Sequence, residues 1–274
     1  MPELPEVETV RRQLAAALPG RPIAGVRVLL PRMLHGVGPE ELARRLLGRR
    51  FTAVERRGKF LLLKLDDGAT LIVHLRMTGR LTLSDGRERG GPYTRAVITF
   101  AGGGELRFSD QRTFGTWHYV AEGAGAPPPG LVGMGVEPLS DSFTPEALAQ
   151  LAFGRRTPIK ALLLDQRRIA GVGNIYADEA LFRAGVDPAR PAGSLTAAEI
   201  ERLHGAIRAV LEDALSKGGT TVRDYVNGEG TPGRFQDFLH VYGRAGQPCQ
   251  RCGAAIARRK LAGRGTHSCP RCQR

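Results

Sequence analysis

The four cysteines constrain this chain more than any other feature. Cys249, Cys252, Cys269 and Cys272 are its only cysteines, and all lie in the last 26 of 274 residues. Their C-x2-C-x16-C-x2-C spacing is that of a zinc ribbon, and in a chain without a secretion signal it points to metal rather than to two disulfides. Four thiolates close a tetrahedral site and leave no open position, so one Zn2+ is expected, structural rather than catalytic. His267 could replace a ligand, but the cysteine set is already complete. Around the cysteines stand Arg251, Arg258, Arg259, Lys260, Arg264, Arg271 and Arg274, with no carboxylate from Cys249 onward. Such a run is ordinarily a solvated face. On a metal-pinned hairpin with no compensating acid it favours phosphate contact.

The whole chain repeats that bias. Lys and Arg number 40 against 27 acids, a net charge of +13, which calls for a polyanionic partner. Nucleic acid fits better than a membrane: no apolar run approaches the ~20 residues of a spanning helix, and no helix pattern has a basic interfacial face. The acidic start lacks a signal sequence, so a cytoplasmic protein is expected.

Upstream of the cysteines the chain runs from an N-terminal helix through a strand-rich stretch to a helical one. Alternating apolar residues predict strands over 22–30, 51–57, 60–65, 70–76, 95–100, 105–109 and 116–120, with a short helix over 40–47. Many short strands with tight turns predict an antiparallel β-sandwich, against which the N-terminal helix (Val7, Val10, Leu14, Leu18) packs. Residues 121–130, AEGAGAPPPG, read as a linker. Beyond them Thr144-Pro145 and Thr157-Pro158 read as helix caps, and helices are predicted over 159–168 and 174–184. The capping box Thr196-Ala197-Ala198-Glu199 opens a longer helix. The expected class is α+β: a sandwich domain over 1–130, a helical domain over 131–234 and the zinc module over 235–274. Residues 220–235 are polar and Gly-rich and read as a mobile loop.

The first residues carry reactive chemistry. Removal of Met1, which a small second residue permits, turns the nitrogen of Pro2 into a secondary amine able to form imines. An α-amino group has a pKa of roughly 7.7–8.0, so a useful fraction is unprotonated at neutral pH. Glu3 beside it can exchange protons with whatever the amine attacks. A frayed tail is the ordinary reading of a terminus, but Pro5 and the apolar spacing lead this one directly into a docked helix.

The stretch MPELPEVETV resembles the start of bacterial formamidopyrimidine-DNA glycosylases, which excise oxidised purines, and the resemblance recurs along the chain. It implies that Pro2 is the nucleophile and Glu3 the acid/base. It implies that Lys59, in the Gly58-Lys59 turn, contacts phosphate and assists elimination. Gly263-Arg264-Gly265-Thr266-His267 is similar to the family's finger motif, which makes Arg264 the arginine beside the lesion phosphate. Gly171-Val172-Gly173-Asn174-Ile175-Tyr176 resembles the helix–two-turn–helix, placing Asn174 on the DNA backbone, and Arg155, Arg156 and Lys160 upstream suit a phosphate track. An enzyme that extrudes a base must fill the hole it leaves; the family uses a Met, an Arg and a Phe, matched here by Met77, Arg112 and Phe114. Residues 217–226 match the damaged-base loop.

Three positions depart from the pattern. Gln111 and Thr113 stand where many relatives have a small or apolar residue and a basic one, and Tyr93 stands where a DNA-contacting His is common. Leu4 and Arg112-Thr113-Phe114-Gly115 favour the purine branch over the pyrimidine-directed endonuclease VIII type. The resemblance thus implies a monomeric DNA glycosylase and abasic-site lyase that holds duplex DNA in a basic cleft between its domains. A non-catalytic zinc-ribbon protein would explain the charge and the cysteines but would leave Pro2 and Glu3 idle.

Overall fold

A computed structural model describes every residue except 88–89 and 222–224, so Val222, Arg223 and Asp224 of the expected damaged-base loop lie outside the described residues. The chain divides into two compact units, Met1–Val132 with Lys217–Arg234, and Gly133–Ser216 with Phe235–Arg274.

In the first unit α1 (Leu4–Ala17) is followed by β1 (Ile23–Val28), β2 (Leu34–His35), α2 (Pro39–Leu46), β3 (Phe51–Arg57) and β4 (Phe60–Leu65). Then come β5 (Thr70–His74), β6 (Gly79–Ser84), β7 (Thr94–Phe100), β8 (Glu105–Asp110) and β9 (Thr116–Val120). They form a sheet ordered β1-β7-β8-β6 and another ordered β2-β9-β5-β4-β3. Pairing is antiparallel except between β2 and β9. Alternation puts Leu61, Leu63, Leu71 and Val73 of one sheet, and Leu81, Ile98, Leu106 and Phe108 of the other, into one buried cluster. Val7, Val10 and Leu14 of α1, and Leu18 at its C-cap, join the same cluster. The sandwich with a packed helix is therefore present.

Strand β6 and the two-residue β2 were not among the expected strands. Both come after irregular turns, and β2 is too short to show alternation. A larger departure concerns residues 217–234, expected within the helical domain: they fold with the sandwich. Gly228 donates to Gln13 Oε1 (2.7 Å) and accepts from Leu83 N–H (2.8 Å), contacts more than a hundred residues away in sequence.

Glu8 ties α1 to the sheet. Its carboxylate bonds Arg56 of β3 (3.0 Å) as well as Arg11 and Arg12 on its own helix. Burial raises its pKa, but the bonds from Arg11, Arg12 and Arg56 together outweigh burial and hold it below the usual carboxylate value. A carboxyl depressed in the folded state contributes stability above its unfolded pKa and loses it as pH falls through the folded value. Glu8→Gln is thus expected to lower Tm by about 3 °C at pH 7, the shift ~1 kcal/mol produces at this size. The difference from wild type should close as pH drops below about 4, which thermal melts across pH would show.

In the second unit α3 (Pro145–Ala152), α4 (Ile159–Leu164), α5 (Asn174–Ala184) and α6 (Ala197–Ser216) precede the hairpin β10 (Ala257–Leu261) and β11 (Arg264–Ser268). Thr144 caps α3 by accepting from Ala147 N–H at 3.2 Å. Thr196 and Glu199 form the expected capping box at the start of α6. Thr157 does not cap: α4 starts at Ile159 with Pro158 in the cap position. That helix also stops at Leu164 rather than 168, because Asp165 turns the chain and accepts from Arg167 N–H (3.1 Å).

Candidate active site and nucleic-acid interface

Glu3 occupies the N-cap position of α1, where it and Glu6 form a capping box in which each side chain accepts from the other's backbone N–H. Pro2 and Glu3 are both buried, Glu3 to 3% exposure, while Met1 is exposed. A terminus tied in this way is held rather than frayed. Glu6 does a second job: one carboxylate oxygen accepts Glu3 N–H (2.7 Å) and the other accepts Thr220 N–H (2.7 Å). Tyr225 donates its hydroxyl to the Glu6 carbonyl at 3.3 Å, and burial, then the Glu6 charge, push its pKa upward and keep it protonated. The segment beginning at Lys217 is therefore built onto the helix that carries Pro2 and Glu3. Nothing in the local sequence of Glu6 signals this role.

Lys59 sits where expected, in the two-residue turn joining β3 and β4, and Gly58 takes the positive φ (54°) that such a turn needs. Lys59 is buried rather than solvated. Nearby His74, missed in the sequence, is also buried, and its pKa falls to about 3, through burial first and then the charges of Arg76, Lys59 and His118. It is neutral at physiological pH. Its Nδ1 accepts Arg76 N–H (2.9 Å), so the proton sits on Nε2 as a hydrogen-bond donor.

The segments that carry Met77, Tyr93, and Arg112 with Phe114 are three, and all are bonded to Asp110, which is 1% exposed. One Asp110 oxygen accepts the Thr78 hydroxyl and Arg112 N–H (3.2 Å), and the other accepts Gly115 N–H (2.8 Å). Asp110 N–H in turn donates to the Tyr93 carbonyl at 2.9 Å. Gly115 is required: a Cβ there would lie 2.5 Å from the Phe108 ring. Arg76 (φ 53°) and Thr113 (φ 58°) are both left-handed, and each immediately precedes an exposed apolar side chain, Met77 and Phe114. Strain of this kind persists only where surrounding bonds over-determine the backbone. The guanidinium of Arg112 lies 4.8 Å from the Phe114 ring centre. Two loops are thus locked by one carboxylate so that two apolar side chains stand proud of the surface, a geometry suited to wedging between bases.

In the second unit the expected phosphate track is corrected. Lys160 is 1% exposed and cannot reach DNA: its ammonium lies 2.6 Å from Asp178 Oδ1 and donates to Thr266 Oγ1 (2.8 Å) and the Gly265 carbonyl (3.1 Å). Asn174 also donates its side-chain amide to the Gly265 carbonyl (2.9 Å), so it braces the finger as well. Arg155 closes α3 by donating to the Leu151 carbonyl at 2.8 Å. Arg264 is exposed at the start of β11, after a turn in which Ala262 (φ 46°) and Gly263 (φ 76°) are both left-handed. Arg258, Arg259 and Lys260 line a shallow pocket with Gly263 and Gly265 on the same hairpin.

The four cysteine sulfurs lie within 4.8 Å of one another, with Cys249–Cys272 at 3.9 Å and Cys252–Cys269 at 3.4 Å. Tetrahedral zinc with Zn–S bonds near 2.3 Å needs sulfurs about 3.8 Å apart, so the donor set fits one Zn2+. Arg251 N–H and Cys272 N–H point at Cys249 and Cys269 sulfurs (both 3.4 Å), as donors to thiolates should. One structural zinc therefore belongs to the protein. Chelation is expected to release one equivalent of zinc, unfold β10–β11 and weaken DNA binding at least tenfold; metal analysis and titration of a labelled duplex check this.

Three family models match in order: the formamidopyrimidine-DNA glycosylase N-terminal domain over residues 1–117, its H2TH domain over 134–226, and a zinc finger found in FPG and IleRS over 246–274. The formamidopyrimidine-DNA glycosylase of Geobacillus kaustophilus is 52% identical over the full length of both chains. That of Symbiobacterium thermophilum is 50% identical over all of this chain and 89% of its own. Among solved structures, a Lactococcus lactis FPG variant in complex with Fapy-dG-containing DNA superposes with a TM-score of 0.90 at 36% identity, covering all of both chains. The Thermus thermophilus protein gives 0.88 at 45% identity, covering 99% of this chain and 98% of its own.

Proposed function

We infer the function from one premise: the chain belongs to the formamidopyrimidine-DNA glycosylase family. It is a base-excision repair enzyme that removes oxidised bases from duplex DNA. We propose oxidised purines as its principal substrates, because Leu4 and the Arg112-Thr113-Phe114-Gly115 element resemble those of the purine branch. The Lactococcus lactis protein has also been solved with DNA containing an oxidised pyrimidine, so cleavage at 8-oxoguanine and at thymine glycol should be compared directly. The proposed setting is cytoplasmic and the proposed active species a monomer; among the described residues no helix is long and apolar enough to cross a membrane.

The proposed mechanism begins with loss of Met1. The Pro2 nitrogen then attacks C1′ of the flipped nucleotide, forming a C–N bond as the bond to the base breaks, and Glu3 protonates the opening sugar oxygen. The resulting iminium acidifies the C2′ proton, and β- then δ-elimination cut both sides of the site. Lys59 assists proton transfer near the phosphate. Met77, Arg112 and Phe114 fill the vacated stack, with Tyr93 beside them, and Arg264 contacts the lesion phosphate. The zinc supplies only the fold of the hairpin.

The observation that carries this reading is the buried Pro2-Glu3 pair fixed at the head of α1 by the Glu3–Glu6 capping box. Borohydride added to protein and an 8-oxoguanine duplex is expected to trap a covalent adduct whose mass lacks Met1 and whose modified peptide begins at Pro2. Tight binding with neither adduct nor nick, in protein shown to lack Met1, would overturn the enzymatic reading and leave a zinc protein that holds DNA.

A further inference from the structure

Thr113 is β-branched yet left-handed (φ 58°), a conformation such residues rarely take. The structure brings a base to it from elsewhere. Arg32, in the turn Pro31–Met33 ahead of β2, donates Nη2–H to Thr113 Oγ1 at 2.6 Å across 81 residues of sequence. Strand β2 holds that turn in place: Leu34 and His35 pair in parallel with Trp117 and His118 of β9, and the two imidazoles stack at 4.4 Å. Arg32 is exposed, and among the described residues no carboxylate pairs with it. A guanidinium has five N–H donors in a fork matched to phosphate oxygens, and the bond to Thr113 uses one.

We propose that Arg32 is a DNA-backbone contact and the positioning residue for the wedge: it sets a positive charge beside Arg112 and Phe114, and its bond to Thr113 Oγ1 holds the turn that aims them. The proposal rests on duplex DNA being the ligand. A phosphodiester is the chemical match, since an uncompensated guanidinium beside an exposed aromatic wedge meets the backbone of any duplex the wedge enters.

The test is affinity against salt, using full-length zinc-loaded protein and a duplex carrying a stable abasic-site analogue opposite cytosine. Arg32→Ala is expected to weaken binding about tenfold at moderate salt and to flatten the log K against log salt slope by about one. Arg32→Gln, which keeps an N–H for Thr113 but no charge, should flatten the slope equally. Adding Thr113→Arg to Arg32→Ala should restore the slope, because the charge returns beside the wedge, but only part of the affinity, because the bond that holds the turn does not; a merely structural defect would leave the slope flat. Wild-type affinity and slope in Arg32→Ala, a wild-type slope in Arg32→Gln, or no recovery of slope with Thr113→Arg would each overturn the proposal. Wild-type protein that fails to bind the duplex would sink the glycosylase reading along with it, so the two failures are told apart.

Discussion

Protein carrying any residue ahead of Pro2, Met1 included, is expected to bind lesion-containing DNA normally and yet to release base, nick strands and form borohydride adduct only at background. An acylated proline nitrogen is an amide: its lone pair is delocalised and no imine can form. The free α-amine has a pKa of roughly 7.7–8.0, 2–3 units below an ordinary lysine, and is the better nucleophile at neutral pH for that reason. The extension should leave the site's scaffold intact. Glu3 N–H still reaches Glu6, Thr220 N–H still reaches the other Glu6 oxygen, and Met1 already projects into solvent. A tag whose protease scar ends immediately before Pro2 makes the comparison within one preparation, before and after cleavage. Adduct formation by the tagged protein would place the nucleophile elsewhere, with the buried amine of Lys59 the first candidate.

Much of this was legible in the residues because it depends on local spacing. Strands β3, β4 and β9 and helix α5 fall at the expected limits, since alternation and helical periodicity act within a few residues. The cysteine pairs announce their ligand by spacing alone. Functional readings failed where a partner is remote. Lys160 lies just after two arginines and looks like part of a phosphate track; its burial is dictated by Asp178 and by Gly265 and Thr266, the last two more than a hundred residues downstream. Residues 217–234 come directly after a helix of one unit but fold into the other, because their hydrogen-bond partners Glu6, Gln13 and Leu83 lie in the first unit, more than a hundred residues upstream. Arg32 shows the same limit from the other side. Nothing in the sequence links Arg32 to Thr113, 81 residues away, and only the fold displays the bond between them.

Asp110 gives the sharpest case of a residue invisible in sequence and decisive in the site. Its carboxylate faces three donors, from Thr78, Arg112 and Gly115, and so locks the Met77 loop to the Arg112–Phe114 loop. Asparagine has the same shape but only one acceptor oxygen, so in Asp110→Asn an amide N–H must confront a backbone N–H or force the Thr78 hydroxyl to turn. Leaving a buried bond of this charged kind unmade costs about 1.5–3 kcal/mol, or ten- to a hundredfold in whatever the two loops do together. The loss should fall on base extrusion, since Pro2, Glu3 and Lys59 are anchored by other contacts. Excision of 8-oxoguanine from duplex DNA is thus expected to drop by that factor, while cleavage of a preformed abasic site in single-stranded DNA, where no stack needs filling, stays within a few-fold of wild type. Single-turnover rates on the two substrates, with melting curves to confirm folding, separate the cases. Equal losses on both would mean that Asp110 supports the sandwich as a whole, and the wedge would have to be positioned by something else.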